Sequence, residues 1–204
     1  MNIFGNRKSG FTLVELVIVF GIIAILSGIW FVGGRGSDRS LALDRSAHKV
    51  AQDMRRAAGL ALQAQVSGIC GSLPRKLSGY GLYFTTSTLT EYLLYANCSG
   101  AQDGYNAGGV QSDITVQTFV FEGPVQIQSL QGKPAAGAQQ GIWTSQSNWS
   151  VAFFPPDSQI TLCITDACGG ASKLTEARVT LALKSDPTQT KTITVNGKGT
   201  ISID

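Results

Sequence analysis

An apolar block lies near the N-terminus of the chain. Residues 11–32 read FTLVELVIVFGIIAILSGIWFV, and Glu15 is the only charged residue among these 22 positions. As an α-helix rising about 1.5 Å per residue, the block is about 33 Å long, enough to cross the hydrocarbon core of a bilayer. The pattern predicts a transmembrane helix over residues 11–34. A short leader at residues 1–10, made basic by Arg7 and Lys8, is expected to stay on the cytoplasmic side while the remainder crosses the membrane.

A second helix, apolar on one face only, is predicted over residues 35–67 and is expected to continue into the head. Gly33, Gly34 and Gly36 each weaken a helix by about 1 kcal/mol relative to Ala, so they predict a soft joint before it, with Ser37 or Asp38 as a cap. No proline precedes Pro74, so the two helices are expected to form one long, bent rod. Its apolar positions recur at helical spacing: Leu43, Ala47, Val50, Met54, Ala57, Ala58 and Ala61.

From Gly68 onward the apolar residues alternate with polar ones, as they do in half-buried strands. Segments rich in Gly, Ser, Asn, Pro and Gln interrupt the alternation at Asn97–Gly109 and Gly132–Gly141 and predict surface loops, and tight turns are predicted at Pro155–Asp157 and Asn196–Gly199. The fold class is therefore α+β, a long N-terminal helix packed on an antiparallel, β-rich head at residues 68–204. Its runs are GYGLYFTT, EYLLYAN, TVQTFVFE, VQIQSLQ, SVAFF, QITLCIT, ARVTLALK, TKTITV and GTISID.

Length, net charge and the absence of catalytic motifs reduce the number of functions to consider. The 204 residues allow one globular unit with an attached segment, and a net charge of +3 names no acidic partner. The chain has one histidine and contains no GxxxxGK[ST] loop, HExxH helix or GxSxG elbow. We therefore expect neither an enzyme nor a cofactor or metal site.

Four cysteines predict two disulfides in an oxidising compartment, because no histidine and no CxxC pair stands beside them to indicate zinc. Cys163 and Cys168 enclose a short loop, and Cys70 and Cys98 would tie the end of the helix to the early sheet. This pairing is preferred, although four cysteines allow three connectivities and the sequence does not choose among them.

Glu15 distinguishes the N-terminal block from the apolar region of a secretory signal peptide. The block is longer than a usual signal h-region, no A-x-A-like site closes it, and a carboxylate at the centre of a membrane helix costs about 2.5–3.5 kcal/mol. If the chain were cut after Gly10, the new α-amino group of Phe11 on a neighbouring subunit could pair with Glu15.

The segment KSGFTLVELVIVFGIIAIL resembles the class III signal of type IV pilins and type II secretion pseudopilins. In that family a membrane-embedded aspartyl peptidase cuts after the glycine and methylates the new N-terminus, and a glutamate at the fifth mature position docks the subunit into the filament. The resemblance assigns cleavage and N-methylation to Gly10 and Phe11, and assembly to Glu15.

The head resembles the FimT and GspH group of minor pilins and pseudopilins. Tyr80–Phe84 is similar to the YG-hydrophobic strand of that group, VAFFPPDSQI at 151–160 to its F-x-P-x-G-like turn, and ITVNGKGTISI at 193–203 to its closing strands. Asp157-Ser158 stands where the group often has a glycine, and the resemblance through the middle of the chain is loose.

These resemblances imply a single-pass inner-membrane protein with its head outside the cytoplasm, which then enters a pilus or pseudopilus. The implied partners are other pilins or pseudopilins, the prepilin peptidase and the inner-membrane assembly platform. The first hypothesis is a minor type IV pilin that primes or caps assembly. The alternatives are a GspH-like pseudopilin of type II secretion, or a FimT-like minor pilin that binds DNA through basic residues if these converge: Arg178, Lys184, Lys191 and Lys198.

Overall fold

A computed structural model describes residues 12–63, 69–70, 77–99, 103–108, 112–155, 159–164, 168 and 172–204, and of residues 29–37 it describes the backbone only. The chain divides into two compact units, Met1–Arg39 and Ser40–Asp204.

One α-helix, α1, runs from Leu13 to Leu62 without interruption. The soft joint predicted at Gly33, Gly34 and Gly36 concerns the stiffness of the helix and stays a prediction. The helix start predicted at Ser37 or Asp38 is wrong, because α1 continues through both residues. The physical reason is that glycine weakens a helix but keeps its N–H donor, whereas proline would remove it. The predicted boundary between two helical segments falls inside α1.

Among the residues whose side chains the structure describes, no helix is both long and apolar enough to cross a membrane. Residue 11 and the side chains of 29–34 lie outside that set, so the transmembrane helix at 11–34 stays a prediction.

Ten strands follow α1, and they confirm the predicted antiparallel head. All nine alternating runs of the sequence form strands; the structure adds the short strand β5, which the sequence reading missed. The strands are β1 (Gly79–Thr85), β2 (Glu91–Asn97), β3 (Ile114–Val120), β4 (Val125–Pro134), β5 (Thr144–Gln146), β6 (Asn148–Phe154), β7 (Gln159–Cys163), β8 (Lys173–Leu183), β9 (Asp186–Asn196) and β10 (Ile201–Ile203).

The strands form one hydrogen-bonded network in which every pair is antiparallel. Its main path runs β10-β9-β8-β7-β6-β1-β2-β3, and β4 and β5 branch from β8. Strand β8 pairs with β9 on one side and with β4 on the other, and only Lys173 and Leu174 pair with β7. The sheet is therefore split into two halves that are joined at the start of β8.

The core lies between the sheet and the part of α1 that belongs to the second unit. Alternate residues of the strands point toward α1 on what we call the helix-facing side, and the others point to the outer face. Burying one large apolar side chain stabilises a fold by about 1.5–3 kcal/mol, so this cluster is the main source of stability of the head. Its members on α1 are Leu43, Ala47, Val50, Met54, Ala57 and Ala61, which meet Tyr80, Leu82, Phe84, Trp149, Val151, Phe153, Val179, Leu181, Ile193 and Val195.

Two predicted surface loops are partly wrong. Gly132 and Pro134 belong to β4, and a Cβ at Gly132 would lie 2.6 Å from a methyl carbon of Leu174, so this glycine is needed for close packing. In the Asn97–Gly109 segment, Asn97 ends β2, and Tyr105 packs on Tyr83 with ring centroids 4.6 Å apart.

Two turns were also predicted in the head. The turn at Asn196–Gly199 is confirmed, because the Gly199 N–H donates to the Asn196 carbonyl over 2.9 Å. Pro156 and Asp157 of the turn predicted at Pro155–Asp157 lie outside the described residues.

Candidate functional site

The first turn of α1 is built by a side-chain cap. Thr12 precedes the helix, and its Oγ1 accepts a hydrogen bond from the Glu15 N–H at 3.3 Å. The Leu16 N–H donates to the Thr12 carbonyl at 3.2 Å, so Thr12 is the N-cap and Glu15 the third helical residue. The spacing T-x-x-E is that of a capping box, and the positive end of the helix dipole favours a carboxylate at this position. Sequence reading missed Thr12, although this four-residue pattern is the signal that identifies it.

The surface beyond that turn is apolar on every side. Leu13 is 81% exposed and Phe20 is 62% exposed, and the other side chains of residues 12–28 are exposed as well. Glu15 is the only charged residue in the stretch. No side-chain hydrogen bond or ion pair joins the Glu15 carboxylate to the part of the chain that the structure describes. An apolar helix with one unpaired carboxylate is suited to bind a partner that supplies a cation.

The predicted processing residues, Gly10 and Phe11, lie outside the described residues. Their roles therefore stay predictions.

The four cysteines form the pairing that the sequence analysis preferred. Cys70 is joined to Cys98, with Cα atoms 5.6 Å apart, and Cys163 to Cys168, with Cα atoms 5.3 Å apart. The first bridge ties a segment shortly after α1 to the residue that follows β2. The second bridge closes a short loop after β7.

The four basic residues considered for DNA binding are not brought together. Lys191 pairs with Leu181, which is buried in the core, so it lies on the helix-facing side; Arg178 pairs with Thr194 on the outer face. Lys184 and Lys198 lie in the turns before and after β9, whose 11 residues span about 36 Å at about 3.3 Å each. Phosphate binding requires clustered cations, which these four residues do not provide.

Arg178 is already engaged on the outer face. Its Nε donates to the Gln131 Oε1 at 2.5 Å, and its Cζ lies 4.2 Å from the centroid of the Trp143 ring. The Lys133 ammonium lies 4.7 Å from the same centroid and 2.7 Å from the Glu176 carboxylate. These contacts are typical of an internally satisfied surface cluster.

Four aromatic residues of the head, Trp143, Trp149, Phe153 and Phe154, could form a binding platform only if they were exposed together. Trp149, Phe153 and Phe154 are almost fully buried. Trp143 alone is half-buried, so the four residues do not form a common exposed surface.

One buried carboxylate in the head is satisfied within the chain. Asp53, on α1, is 8% exposed, and its Oδ2 accepts a hydrogen bond from the Tyr92 hydroxyl at 2.6 Å. Burial, and then the neighbouring Asp53, raise the pKa of Tyr92 well above its usual value. This pair fixes α1 to β2 and is structural.

Within the described residues, no three His, Cys, Asp or Glu side chains are grouped so that they could hold a metal ion. The only histidine, His48, is exposed on α1, with its Nε2 3.7 Å from the Asp44 carboxylate.

Residues 5–31 match the family model described as the prokaryotic N-terminal methylation motif. The match covers the predicted cleavage site, the capped first turn and most of the apolar stretch, and it supports the resemblance to pilins and pseudopilins. No curated protein and no solved structure matches the chain.

Proposed function

We propose that this chain, which carries the N-terminal methylation motif of pilins and pseudopilins, is a minor pilin that primes or caps a type IV pilus. Before assembly it is a single-pass inner-membrane protein with its head outside the cytoplasm. Its partners are other pilins, the prepilin peptidase and the inner-membrane assembly platform.

The observation that carries the proposal is the position of Glu15. Its carboxylate sits on a capped first turn, is surrounded by exposed apolar side chains, and has no partner in the described part of the chain. Cleavage after Gly10 would create an α-amino group on Phe11. In an environment of low dielectric constant, a carboxylate and an amine from two subunits attract each other strongly, and leaving either one unpaired is costly. Pairing between subunits therefore supplies both affinity and register.

The head supports a minor rather than a major role. Its outer face carries the loop at 103–108 and a long connection between β4 and β5, and the sheet is split into two halves. An irregular outer surface is better suited to a subunit present in few copies than to one that repeats along the whole filament.

The first experiment measures the intact mass and N-terminal sequence of the membrane-extracted protein. We expect the chain to begin at a methylated Phe11 and to lack four cysteine hydrogens. A product that begins at Met1 would overturn the proposal.

Substitution of Glu15 tests assembly directly. Glu15→Gln keeps the length of the side chain and the cap geometry but removes the charge, so we expect the processed subunit to accumulate in the membrane and to be lost from sheared filaments. Ser27→Ala, on the same exposed stretch, is the matched control and should assemble normally. Normal incorporation of the Gln variant would contradict the assigned role.

Immunogold labelling of filaments separates a minor role from a major one. A minor subunit that primes or caps should be labelled at one end of the filament or rarely. Continuous labelling along the filament would show a major subunit.

A pseudopilin of type II secretion is the main alternative, because it uses the same N-terminal chemistry. Deletion of the gene distinguishes the two machines: loss of surface pili supports the proposal, whereas accumulation of secreted proteins in the periplasm supports the alternative. DNA capture is less well supported, because Arg178, Lys184, Lys191 and Lys198 are separated and Arg178 is engaged by Trp143 and Gln131.

A further inference from the structure

A cavity of about 260 Å³ opens on the outer face of the head, over the middle of the sheet. Its floor comes from β1 and β6, where Tyr83 pairs with Ser150. One wall is the loop at 103–108, and Ile164 forms another. The residues that line it include Tyr83, Tyr105, Asn106, Asn148, Ser150 and Ile164.

The loop wall is held in place by hydrogen bonds to two carboxylates, the buried Asp113 and the partly exposed Asp103. Asp113 accepts the Cys98 N–H and the Asn106 N–H, both at 2.9 Å. Asp103 accepts the Asn97 amide at 2.7 Å. The Tyr105 N–H donates to the Ser150 Oγ at 3.3 Å, which fixes the loop to the floor of the cavity. A wall fixed in this way loses little conformational entropy on binding.

The aromatic side of the cavity depends on a missing side chain. A Cβ at Gly81 would lie 2.6 Å from the Tyr95 Cζ, so the Tyr95 ring can cross β1 only because residue 81 is glycine. The ring of Tyr105 packs on it with centroids 4.9 Å apart, and also meets Tyr83. The two tyrosines that line the cavity thus have fixed positions and present apolar ring surface.

The described polar groups of the cavity are uncharged, and several have free hydrogen-bonding capacity. None of the lining residues that the structure describes is acidic or basic. Within the described part of the chain, the Tyr83 hydroxyl and the Asn148 carboxamide have no hydrogen-bond partner, and Asn106 uses only its Oδ1, toward the Gly108 N–H. A hydroxyl and two carboxamides can each donate and accept.

This chemistry discriminates among ligand classes. Among the described lining residues, a phosphate or carboxylate would find no cation, and an ammonium group would find no carboxylate. A wholly apolar ligand would leave the amides unpaired. An extended peptide needs a free strand edge, but β1 lies between β2 and β6, and β6 lies between β1 and β7.

We infer that this cavity binds an uncharged sugar ring. The C–H faces of a pyranose would pack on the tyrosine rings, and its hydroxyls would exchange hydrogen bonds with Tyr83, Asn106 and Asn148. A second cavity of about 420 Å³ shares Ile164 with the first and is lined by uncharged residues, including Gln139, Thr144 and Gln146. The two adjoining cavities extend the site to a second sugar unit. The inference does not depend on the filament role.

Saturation-transfer NMR on the full-length protein tests the inference, in a detergent without a sugar head group so that the detergent does not compete. The probes are glucose, galactose, N-acetylglucosamine and cellobiose, with glucuronate and inorganic phosphate as charged controls. We expect at least one neutral monosaccharide to bind with a dissociation constant on the order of 1 mM, as is typical for one small ring. Absence of transfer to every neutral sugar, or equal binding of the charged controls, would overturn the inference.

Two variants locate the site. Tyr83→Phe keeps the ring and removes the hydroxyl, and Asn148→Ala removes the carboxamide, so each should weaken binding about three- to tenfold, the usual effect of one lost hydrogen bond. Thr190→Ala, in an exposed position on β9, is the matched control and should bind as the wild type does. Melting temperatures of the variants show whether the head is intact. Unchanged affinity in both folded variants would place binding elsewhere and contradict the inference.

Discussion

Two stretches of α1 differ in what surrounds their apolar side chains. In residues 12–28 apolar residues occur on all sides of the helix and are exposed, whereas in residues 40–62 most of them form one stripe that is buried against the sheet. Both stretches are helical, so helix formation does not distinguish them. The distribution of apolar residues around the axis does, because a helix apolar on one side can be buried by its own chain, while one apolar on all sides needs lipid or other helices.

The carboxylates of the two stretches differ in the same way, one having a partner within the chain and the other having none among the described residues. Asp53 is nearly buried and is paired with the Tyr92 hydroxyl of the same chain. Glu15 has no side-chain partner in the described part of the chain. A buried acid that is satisfied internally stabilises the subunit. An unsatisfied acid on an apolar surface is a group that the proposed pairing with a second subunit would satisfy.

The largest expected effect comes from removing a core side chain of the buried stripe. Met54→Ala should lower the free energy of unfolding of the head by about 2–5 kcal/mol, because Met54 is fully buried. Ile22→Ala, on the exposed apolar stretch, should leave it unchanged. Urea unfolding followed by tryptophan fluorescence, with the full chain in micelles, measures both. Equal losses in the two variants would remove the distinction between the stretches.

The Cys70–Cys98 disulfide, which follows the buried stretch of α1, should contribute nearly as much to the free energy of unfolding. Replacing Cys70 and Cys98 by serine opens a loop of 28 residues and should cost about 3.6 kcal/mol, since the bridge restricts the unfolded chain. The same change at Cys163 and Cys168 opens a loop of 5 residues and should cost about 2 kcal/mol by the same relation. The reverse order in urea unfolding would contradict this explanation.

The hydrogen bond between Tyr92 and Asp53 should contribute less to the free energy of unfolding, and its contribution should depend on pH. Tyr92→Phe leaves Asp53 without its donor and should cost about 1–3 kcal/mol. Burial raises the pKa of Tyr92, so above about pH 10 the unfolded chain releases a proton that the folded chain retains, and stability falls as the pH rises. Thermal unfolding between pH 8 and pH 11 should show a shallower alkaline loss in the variant. An identical slope would assign that loss to other groups.

The smallest effect is expected at the exposed edge of the buried stretch. The Asp44 carboxylate lies 3.7 Å from the Lys191 ammonium, and both side chains are well exposed to solvent. Asp44→Asn should therefore cost less than about 1 kcal/mol, and salt should abolish the difference between variant and wild type. A large, salt-resistant loss measured by thermal unfolding would mean that this pair is more strongly coupled than its exposure indicates.

Strand positions were predictable where apolar and polar residues alternate over several positions, as they do in the run TKTITV at 190–195. Strand β5 was missed because its three residues, Thr-Ser-Gln, include no apolar side chain and therefore show no alternation. Tyr105 was assigned to a surface loop because its neighbours are Gly, Asn and Asp, and only its contacts with Tyr83 and Tyr95 reveal that it is part of the outer face. The glycines before residue 37 led to a predicted helix start at Ser37 or Asp38, whereas α1 continues through both residues.

By itself, the sequence determined the motif at residues 5–31, the apolar character of the first helical stretch, the stripe of residues 43–61 and the antiparallel head, since each depends on local order along the chain. The tertiary structure decided which distant residues meet. It separated Arg178 from Lys191, paired Asp53 with Tyr92, and assembled an uncharged cavity from β1, β6 and a loop. The physical reason is that such contacts depend on strand order and on the face to which each side chain points, and local patterns do not encode strand order.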